Sequence, residues 1–509
     1  MKLVKSLLLG SAAGLLAVAG ASAADLPSKK GPAVEYVRIC DAYGAGFFYI
    51  PGTETCLRIQ GYARGEAVWL STYNSYTPNG AANPGNLQTP LTIFGTNNGT
   101  VGNGVAAKTL DQTGFRARGR ASFDARTNTA YGTLRSFARF DWTQDTGSYI
   151  QGAGPGNPTG RLNYFSVRYV FVQWAGFTAG SAQSFFDFYA DALNYEFLHG
   201  SDTQTNLFAY TASFGGGFQA TLSIEDRNRR NSGNGLATPF GGALGSTGGV
   251  NYGGYRFPDL VGALRVDQPW GSAQLSGALH QVNTVSGINN ALFATGGIGN
   301  VGTATSQTYG YAVQAGVKFN LPFLAAGDEL YFQGSYAKGA LDYIGVGAGS
   351  GAGANLSQGF LGRLFGGVQR NDTDAFAYVP VGVVNGYTLE KIAGYNLLVG
   401  LKHYWLPNFY ETFYGTYTAV QPGAQARATN WNQGGLGRAN AWIVGTTFNY
   451  APVAGLDFGV DLVYARLRQT LAGAAPVAGT INSFASPLPV GVKSGSNAYE
   501  ARFRVIRSF

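Results

Sequence analysis

The sequence predicts an all-β protein, namely a 16-stranded antiparallel transmembrane β-barrel with long extracellular loops and short periplasmic turns. Three observations support this class. Apolar and polar residues alternate with period two in segments of about ten to fourteen residues, the connections alternate between long and short, and no run of about eighteen apolar residues could form a transmembrane helix. With 76 Gly, 30 Tyr, 33 Phe and only 12% charged residues, the composition favours strands and turns over packed helices.

Residues 1–23 form a predicted signal peptide that does not belong to the folded protein. Lys2 and Lys5 give a positive start, and the apolar stretch from Leu7 to Val18 is too short to span a bilayer. Ala21-Ser22-Ala23 then offers the small residues that a signal peptidase requires. An N-terminal membrane anchor is the alternative interpretation.

Two regions follow the signal peptide. We expect an N-terminal periplasmic-side segment with a disulfide loop at 24–56 and the transmembrane barrel at 57–509. Without Lys2 and Lys5, 33 basic residues oppose 27 acidic ones, a net charge of +6. Because this charge is small and no Lys/Arg block occurs, the composition argues against a nucleic-acid partner. We expect neither a cofactor nor a metal.

Cys40 and Cys56 are the two cysteines of the chain. In an exported chain, two thiols so close in sequence favour one disulfide, which would close a small loop around Tyr43 to Phe48. A metal or redox pair is the alternative, but the two residues lack CxxC spacing and have no histidine nearby. The prediction is therefore a structural disulfide bond.

Alternation is clearest in residues 115–126, where every odd position is apolar or small. The even positions are Arg116, Arg118, Arg120, Ser122, Asp124 and Arg126. If Thr127-Asn128 is a two-residue turn, Arg120 lies opposite Arg135 and Arg116 opposite Arg139, with the two polar faces coinciding. Like charges directly opposite each other destabilise a sheet, so we expect negative groups across from these arginines.

Sixteen such segments run from 57–71 to 497–509, and the connections between them alternate strictly in length. The long connections are at 72–112, 143–161, 184–204, 227–258, 283–307, 340–390, 421–439 and 470–496. In an antiparallel array this alternation places every long connection at the same end, as in outer-membrane barrels. A soluble propeller or sandwich has no need of this asymmetry.

Aromatic residues fit the same interpretation. Five tryptophans lie at or next to predicted strand ends, where interfacial girdles form, namely Trp142, Trp174, Trp270, Trp405 and Trp442. The last strand places Tyr499, Ala501, Phe503, Val505 and Phe509 on one face. The terminal aromatic residue Phe509 on an alternating strand resembles the outer-membrane assembly signal, from which Arg507 departs.

Two segments resemble a known family. RICDAYGAGFFYIPGTETCLRIQGYAR, at 38–64, resembles the opening of alphaproteobacterial general porins of the rhizobial type. VQWAGFTAGSAQSFFDF, at 172–188, resembles the segment that enters their inward-folded third loop. The resemblance runs from the signal peptide to Phe509. It implies a trimeric barrel that passes small hydrophilic solutes and ions, with loop three folded into the lumen.

Loop three, between the fifth and sixth strands, is too hydrophobic for a freely solvated loop. We hypothesise that its aromatic residues pack on the inner wall while Asp187, Asp191, Glu196 or Asp202 point at the lumen. The opposite side of this constriction would be a basic wall of Arg116, Arg118, Arg120, Arg135, Arg139 and, more weakly, Arg168. Opposed charges would orient polar solutes and filter ions. Alternatively, the arginines only hydrate the wall or bind lipopolysaccharide near a rim.

Enzymatic function is not expected. The three histidines, His199, His280 and His403, form no recognisable nucleophile motif and are interpreted as lone polar residues of the lumen. The glycine-rich stretches lack G-x-S-x-G, and no Walker lysine follows a glycine loop. A sugar- or anion-selective porin, or a barrel with a mainly adhesive surface role at 340–390, remains the alternative.

Overall fold

A computed structural model describes most of the chain beyond the predicted signal peptide. The described residues are 38–71, 74–75, 112–149, 161–195, 198–227, 230, 250–254, 256–286, 304–346, 374–378, 388–428, 437–470 and 493–509. The signal-peptide prediction for 1–23 and much of the two long connections at 227–258 and 340–390 therefore lie outside the described residues.

Sixteen antiparallel strands form one closed sheet, which confirms the predicted barrel. They are β1 (Cys56–Leu70), β2 (Thr113–Thr129), β3 (Gly132–Thr146), β4 (Arg161–Trp174), β5 (Phe177–Gln183), β6 (Gln204–Gly215), β7 (Phe218–Glu225), β8 (Asp259–Gln268), β9 (Gly271–Ser286), β10 (Ala304–Asn320), β11 (Glu329–Lys338), β12 (Ala393–Leu406), β13 (Phe409–Gln421), β14 (Ala439–Val453), β15 (Leu456–Thr470) and β16 (Lys493–Ser508). Each strand pairs with its neighbours along the chain, and β1 also pairs with β16. Because the sheet closes on itself, its backbone groups find partners without water.

Shorter elements lie beside the barrel strands. Strands Phe48–Tyr49, Asn74–Ser75 and Val250–Tyr252 extend the main sheet, whereas Ala375–Tyr378 and Thr388–Lys391 form a separate two-stranded sheet. Helical turns are the 3₁₀ segments Asp41–Tyr43, Gly147–Tyr149 and Leu341–Ile344 and the α-helix Ala424–Ala428. No helix in the described part of the chain is long and apolar enough to cross a membrane.

The two faces of the sheet differ as the alternation predicts. Outward-facing side chains are large, apolar and exposed, for example Phe115 at 64%, Phe208 at 72% and Leu264 at 58%. Their strand neighbours, such as Arg116, face the lumen. Exposed apolar side chains around the whole barrel are costly in water but stable against hydrocarbon. The outer surface therefore suits a lipid bilayer.

The alternation of long and short connections is confirmed. The short ones are residues 130–131, 175–176, 216–217, 269–270, 321–328, 407–408 and 454–455. Trp174, Trp270 and Trp405 lie at or beside these short turns, as expected of an interfacial girdle. All long connections leave from the opposite end of the barrel.

The predicted register of β2 and β3 is wrong. The turn is at Ala130-Tyr131, because Thr129 pairs with Gly132 and its hydroxyl donates a hydrogen bond of 2.6 Å to the Gly132 carbonyl. Gly132 has a φ of 103°, a conformation that glycine adopts without strain.

For Arg116 and Arg120 the corrected register replaces like charges by opposite ones, whereas it places Arg126 opposite Arg135. Arg120 lies opposite Asp141, and Arg116 lies opposite Asp145, so neither faces an arginine directly. The partners move by six residues along β3, an even number, and the two polar faces therefore still coincide. The arginine pairs expected for Arg116 and Arg120 therefore result from a turn placed three residues too early.

The predicted disulfide between Cys40 and Cys56 is confirmed and lies at the short-turn end of the barrel. Both cysteines are buried, and Phe47 packs with them. Arg58 and Arg126 from the barrel wall lie over the Phe47 ring at 4.9 Å and 5.0 Å. These contacts attach the N-terminal loop to β1 and β2.

Replacing both Cys40 and Cys56 with Ala should destabilise this end of the barrel. A crosslink across 16 positions restricts the unfolded chain, and its loss should lower the free energy of unfolding by about 3 kcal/mol. Urea unfolding in lipid vesicles, monitored by tryptophan fluorescence, measures the change. An unaltered midpoint in the double variant would contradict this account.

Candidate pore constriction

One sector of the inner wall, formed by β1 to β4, carries most of the arginines that the sequence singles out. Its inward-facing arginines are Arg58, Arg64, Arg116, Arg118, Arg120, Arg126, Arg135, Arg139 and Arg168. Every one of the predicted basic-wall residues belongs to this set, which we call the arginine wall. Alternation on four neighbouring strands brings them together because each strand contributes every second residue.

Carboxylates within the arginine wall hold several of these side chains. Arg116 binds Asp145 through two hydrogen bonds of 2.7 Å and 2.8 Å, and Arg120 binds Asp141 through two of 2.7 Å. Both contacts join residues directly opposite each other on β2 and β3. Bidentate pairs of this kind fix the planar guanidinium group firmly.

A third carboxylate, Asp124, lies nearer the short-turn end. Arg126 and Arg135, which face each other across β2 and β3, both donate to Asp124 at 2.8–3.0 Å. Arg58 approaches the same carboxylate to 4.0 Å. One buried negative charge therefore relieves the repulsion among three cations.

Four arginines of the wall remain. Arg64 lies 3.4 Å from Glu66 of its own strand, and the other three are held less tightly. Arg118 donates to the Thr143 hydroxyl at 2.9 Å and lies 3.8 Å from Asp141. Arg168 lies 3.7 Å from Asp141, and its side chain is 36% exposed. Arg139 donates to Ser122 at 3.1 Å, and among the described residues no carboxylate reaches it at ion-pair distance. These three guanidinium groups lack a carboxylate partner at hydrogen-bond distance among the described residues.

Loop three, here residues 184–203 between β5 and β6, follows the opposite part of the inner wall. Backbone groups of the loop bond to inward polar side chains: Gln274 and Gln314 donate to the Phe186 carbonyl at 3.3 Å and 2.8 Å, and Thr412 donates to the Leu193 carbonyl at 2.9 Å. These partners come from β9, β10 and β13. The loop thus lies inside the barrel along the strands that the arginine wall leaves free.

Glycines of the wall make room for the aromatic residues of the loop. A Cβ atom at Gly316 would lie 2.3 Å from the Phe188 ring, and one at Gly459 would lie 2.0 Å from the Tyr195 hydroxyl. Neither distance is compatible with a side chain larger than hydrogen. Two inward positions on β10 and β15 are therefore shaped to the loop.

The far end of loop three reaches back toward the arginine wall. Arg502 of β16 donates to the Tyr195 carbonyl at 3.1 Å, and Arg504 lies over the Tyr195 ring at 3.6 Å. Arg504 also pairs with Glu66 of β1. Loop three consequently spans the lumen from β5 to β16. Its base lies beside the arginine wall on the β4 side, and the part around Tyr195 lies beside it on the β1 side.

The four loop-three carboxylates have different surroundings. Asp187 is buried, accepts hydrogen bonds from Gln183 and the Thr203 amide, and pairs with Arg230 at 3.2 Å. Asp191 is half-buried, and its carboxylate lies 3.4 Å from the Leu198 amide. Glu196 lies outside the described residues.

Asp202 is a carboxylate of the loop on which the charge of Arg168, an arginine of the wall, acts. It accepts a hydrogen bond of 2.8 Å from Gln183. Burial, together with the charge of Asp187, raises its pKa, and Arg168 acts in the opposite direction. Asp202 therefore loses its negative charge at a higher pH than an exposed aspartate does.

The three histidines have partners in the structure, so the prediction of lone polar side chains is wrong. His280 bonds to Asp259 at 2.9 Å, and His403 bonds to Asp328 at 2.6 Å. His199, in loop three, bonds to Thr418 at 3.1 Å. Burial lowers the pKa of His199 to about 4, so it is neutral at pH 7.

A closed 16-stranded barrel that is apolar outside, charged inside and crossed by an inner loop defines the class of the outer-membrane porins, which are multi-pass outer-membrane proteins. The chain matches the family model described as the Porin subfamily over residues 25–487 and belongs to that family.

Curated relatives agree with this family. Porin Omp2b of Brucella suis biovar 1 (strain 1330) is 33% identical over 280 residues, which are 53% of this chain and 64% of that protein. Porin Omp2b of Brucella canis is 33% identical over 278 residues, with the same shares covered. The match thus spans 64% of the length of these relatives.

Solved structures with a similar course of the chain include the outer membrane channel DcaP of Acinetobacter baumannii. It has a TM-score of 0.49 and 14% identity, and the match covers 91% of this chain and 99% of that chain. An anion-selective porin from Comamonas acidovorans has a TM-score of 0.38 and 11% identity. The match covers 90% of this chain and 100% of that chain.

Substituting Gly316 with Val should displace loop three, because the new side chain would overlap the Phe188 ring. Overpacking of this kind costs about 1–3 kcal/mol, which should appear as faster hydrogen exchange of residues 184–195. Gly262→Val on β8 is the matched control, since a Cβ atom there meets nothing within 4 Å. Equal exchange in both variants would show that Gly316 is not needed for loop packing.

Proposed function

We propose that the protein forms a water-filled channel for passive diffusion of small hydrophilic solutes and ions across the outer membrane. The single observation that supports this most is the polar inner face: four neighbouring strands direct nine arginines and four carboxylates into the lumen. Charged side chains at this density are stable only beside water or counter-charges. A continuous wet path follows from this surface, and general-diffusion porins work by such a path.

The narrowest part of this path would be a constriction between the arginine wall and loop three. Arg118, Arg139 and Arg168 would act on one side, because they are the least neutralised members of the wall. Asp191, Glu196 and Asp202 would provide negative charge on the loop side. Asp187 would not belong to the constriction, because its carboxylate binds Arg230 at the base of the loop. A field between the two sides would orient polar solutes during passage.

An anion preference is the second candidate, and one observation favours it. The inward-facing residues of β1 to β4 include nine arginines against Glu66, Asp124, Asp141 and Asp145, an excess of five positive charges in that sector. A lumen lined by one sign of charge raises the local concentration of the opposite ion.

Planar-bilayer recording of the purified protein tests the channel and its constriction together. We propose that the protein is a homotrimer. The wild type should therefore insert as stable conducting pores that close in three steps. Replacing Arg118, Arg139 and Arg168 with Ser should raise the conductance and lower the anion to cation permeability ratio roughly threefold or more, because the wall loses three charges.

Arg161→Ser, at an exposed position on the outer face of β4, is the control and should leave both quantities unchanged. A wild type that carries no current and passes no sugars in liposome swelling would refute the channel and favour an adhesive role. A conducting wild type with an unaltered triple variant would instead remove these arginines from the constriction.

We also propose that an anionic lipid of the outer leaflet, such as lipopolysaccharide, binds the outer face at β14 and β15. Along β15 the outward residues change from Leu462 to Tyr464 and then to Arg466 and Arg468 toward the long-loop end. This order matches hydrocarbon, interface and headgroups. Arg438, whose carbonyl bonds to the Thr470 amide, lies next to Arg468 on the same exposed face.

The three arginines Arg438, Arg466 and Arg468 should bind phosphorylated lipid A in detergent solution. Each cation near a charged lipid surface contributes about 1 kcal/mol, so changing all three to Gln should weaken binding about a hundredfold. The triple Ser variant of the arginine wall is the control, since it removes three charges from the lumen instead. Equal affinity of both variants, or equal binding of dephosphorylated lipid A, would refute the site.

A further inference from the structure

We propose that Arg230 and Asp187 are positioning residues of the pore: their buried ion pair ties the base of loop three to two other long connections and holds the loop at a set distance from the arginine wall. This inference rests on the proposed channel function. It assigns a role to Arg230, which lies in the connection between β7 and β8 and does not line the arginine wall.

Asp187 closes the base of loop three. Its carboxylate accepts hydrogen bonds from Gln183, where the loop leaves β5, and from Ser201 and the Thr203 amide, where the loop returns to β6. Both strands of the base are therefore bound to one buried carboxylate. Any movement of this group would alter the start and the end of the loop together.

Arg230 joins this base to a second connection. Its guanidinium pairs with Asp187 at 3.2 Å and donates to Ser201 at 2.8 Å on one side. On the other side it lies 3.6 Å from Asp342 and 4.0 Å from the centre of the Tyr343 ring, both in the connection between β11 and β12. The side chains of Arg230, Asp187 and Asp342 are 0% exposed.

The second connection is in turn fixed to the barrel wall. Tyr343 donates a hydrogen bond of 2.8 Å to Asp259 of β8, which also binds His280 of β9 at 2.9 Å. Asp374 accepts a hydrogen bond of 2.7 Å from the Leu341 amide and lies 3.7 Å from His280. Arg230 is thus the point where loop three and this wall-bound unit meet.

Backbone packing next to the ion pair shows how closely the two connections fit. Gly345 has a φ of +74°, and a Cβ atom there would lie 2.2 Å from the Gly200 amide nitrogen of loop three. The Phe186 ring packs edge-on against Tyr343 at 4.7 Å. Elsewhere along its path loop three contacts β9 to β14 mainly through amides, hydroxyls and aromatic rings. The ion pair at the base therefore adds a charged contact to the packing that couples the loop to this connection.

Single-channel recording combined with hydrogen exchange tests this assignment. Arg230→Ala leaves two buried carboxylates without their shared cation, so loop three should leave its position more often. We expect the rate of transitions between conductance levels, and the exchange rate of residues 184–195, to rise roughly tenfold or more. The reversal potential under a salt gradient should also change, because the distance between loop and arginine wall varies.

Arg230→Lys and Asp187→Asn separate positioning from folding. The Lys variant keeps the charge, so its transition rates, exchange rates and reversal potential should be close to those of the wild type. The Asn variant should behave like Arg230→Ala. The double variant Arg230→Ala with Asp187→Asn should differ little from either single variant. Arg427→Ala, an exposed arginine on the helix Ala424–Ala428, is the matched control and should change nothing.

Far-UV circular dichroism shows which variants retain the barrel. If Arg230→Ala does not fold, the Lys and Asn variants carry the test. Folded variants with wild-type currents and wild-type exchange would overturn the positioning role. A non-conducting wild type would refute the channel instead, and the exchange rates of loop three would still decide whether Arg230 holds it.

Discussion

The fold depends on one constraint, which is that a backbone surrounded by hydrocarbon must find all its hydrogen-bond partners within the protein. A sheet meets this requirement only when its first and last strands pair, as β1 and β16 do here. Closure divides every strand into an outward and an inward row of side chains. The outward row meets lipid and is apolar, so the inward row is free to be polar, and the chemistry of the protein is concentrated there.

Inside the barrel, charge is arranged by sector. Strands β1 to β4 carry the arginine wall, and three aspartates of the same sector hold its cations in place without neutralising all of them. The other strands present amides, hydroxyls and glycines, onto which loop three packs. The two sectors differ in chemistry: one is rich in charged side chains, and the other provides a surface complementary to a loop. The lumen is narrowed because loop three occupies one sector and leaves the other open.

The connections at the long-loop end form part of the same construction. Loop three, Arg230 and the segment around Asp342 and Tyr343 are joined by buried charges at the base of the loop. Ionic contacts of this type are sensitive to loss of either partner, whereas hydrogen bonds to neutral side chains tolerate small shifts. The base of the loop is thus its most specific attachment, and the rest of its path is adapted to the wall by shape.

Much of the architecture could be predicted from the sequence alone. Period-two alternation, the alternating connection lengths and the paired cysteines indicated sixteen strands, one end for all long loops and the disulfide, because each of these signals is local. The residues Arg116 to Arg139 could be placed on a common inner face for the same reason. Contacts between segments distant in sequence could not be predicted. A turn placed three residues early changes the predicted partner of Arg120 from Asp141 to Arg135. The local pattern likewise predicts that Asp187 is a lumen charge, although Arg230 neutralises it. Alternation specifies which face a side chain occupies, but only the tertiary structure determines which charge lies opposite it, since register and loop packing depend on the whole closed sheet.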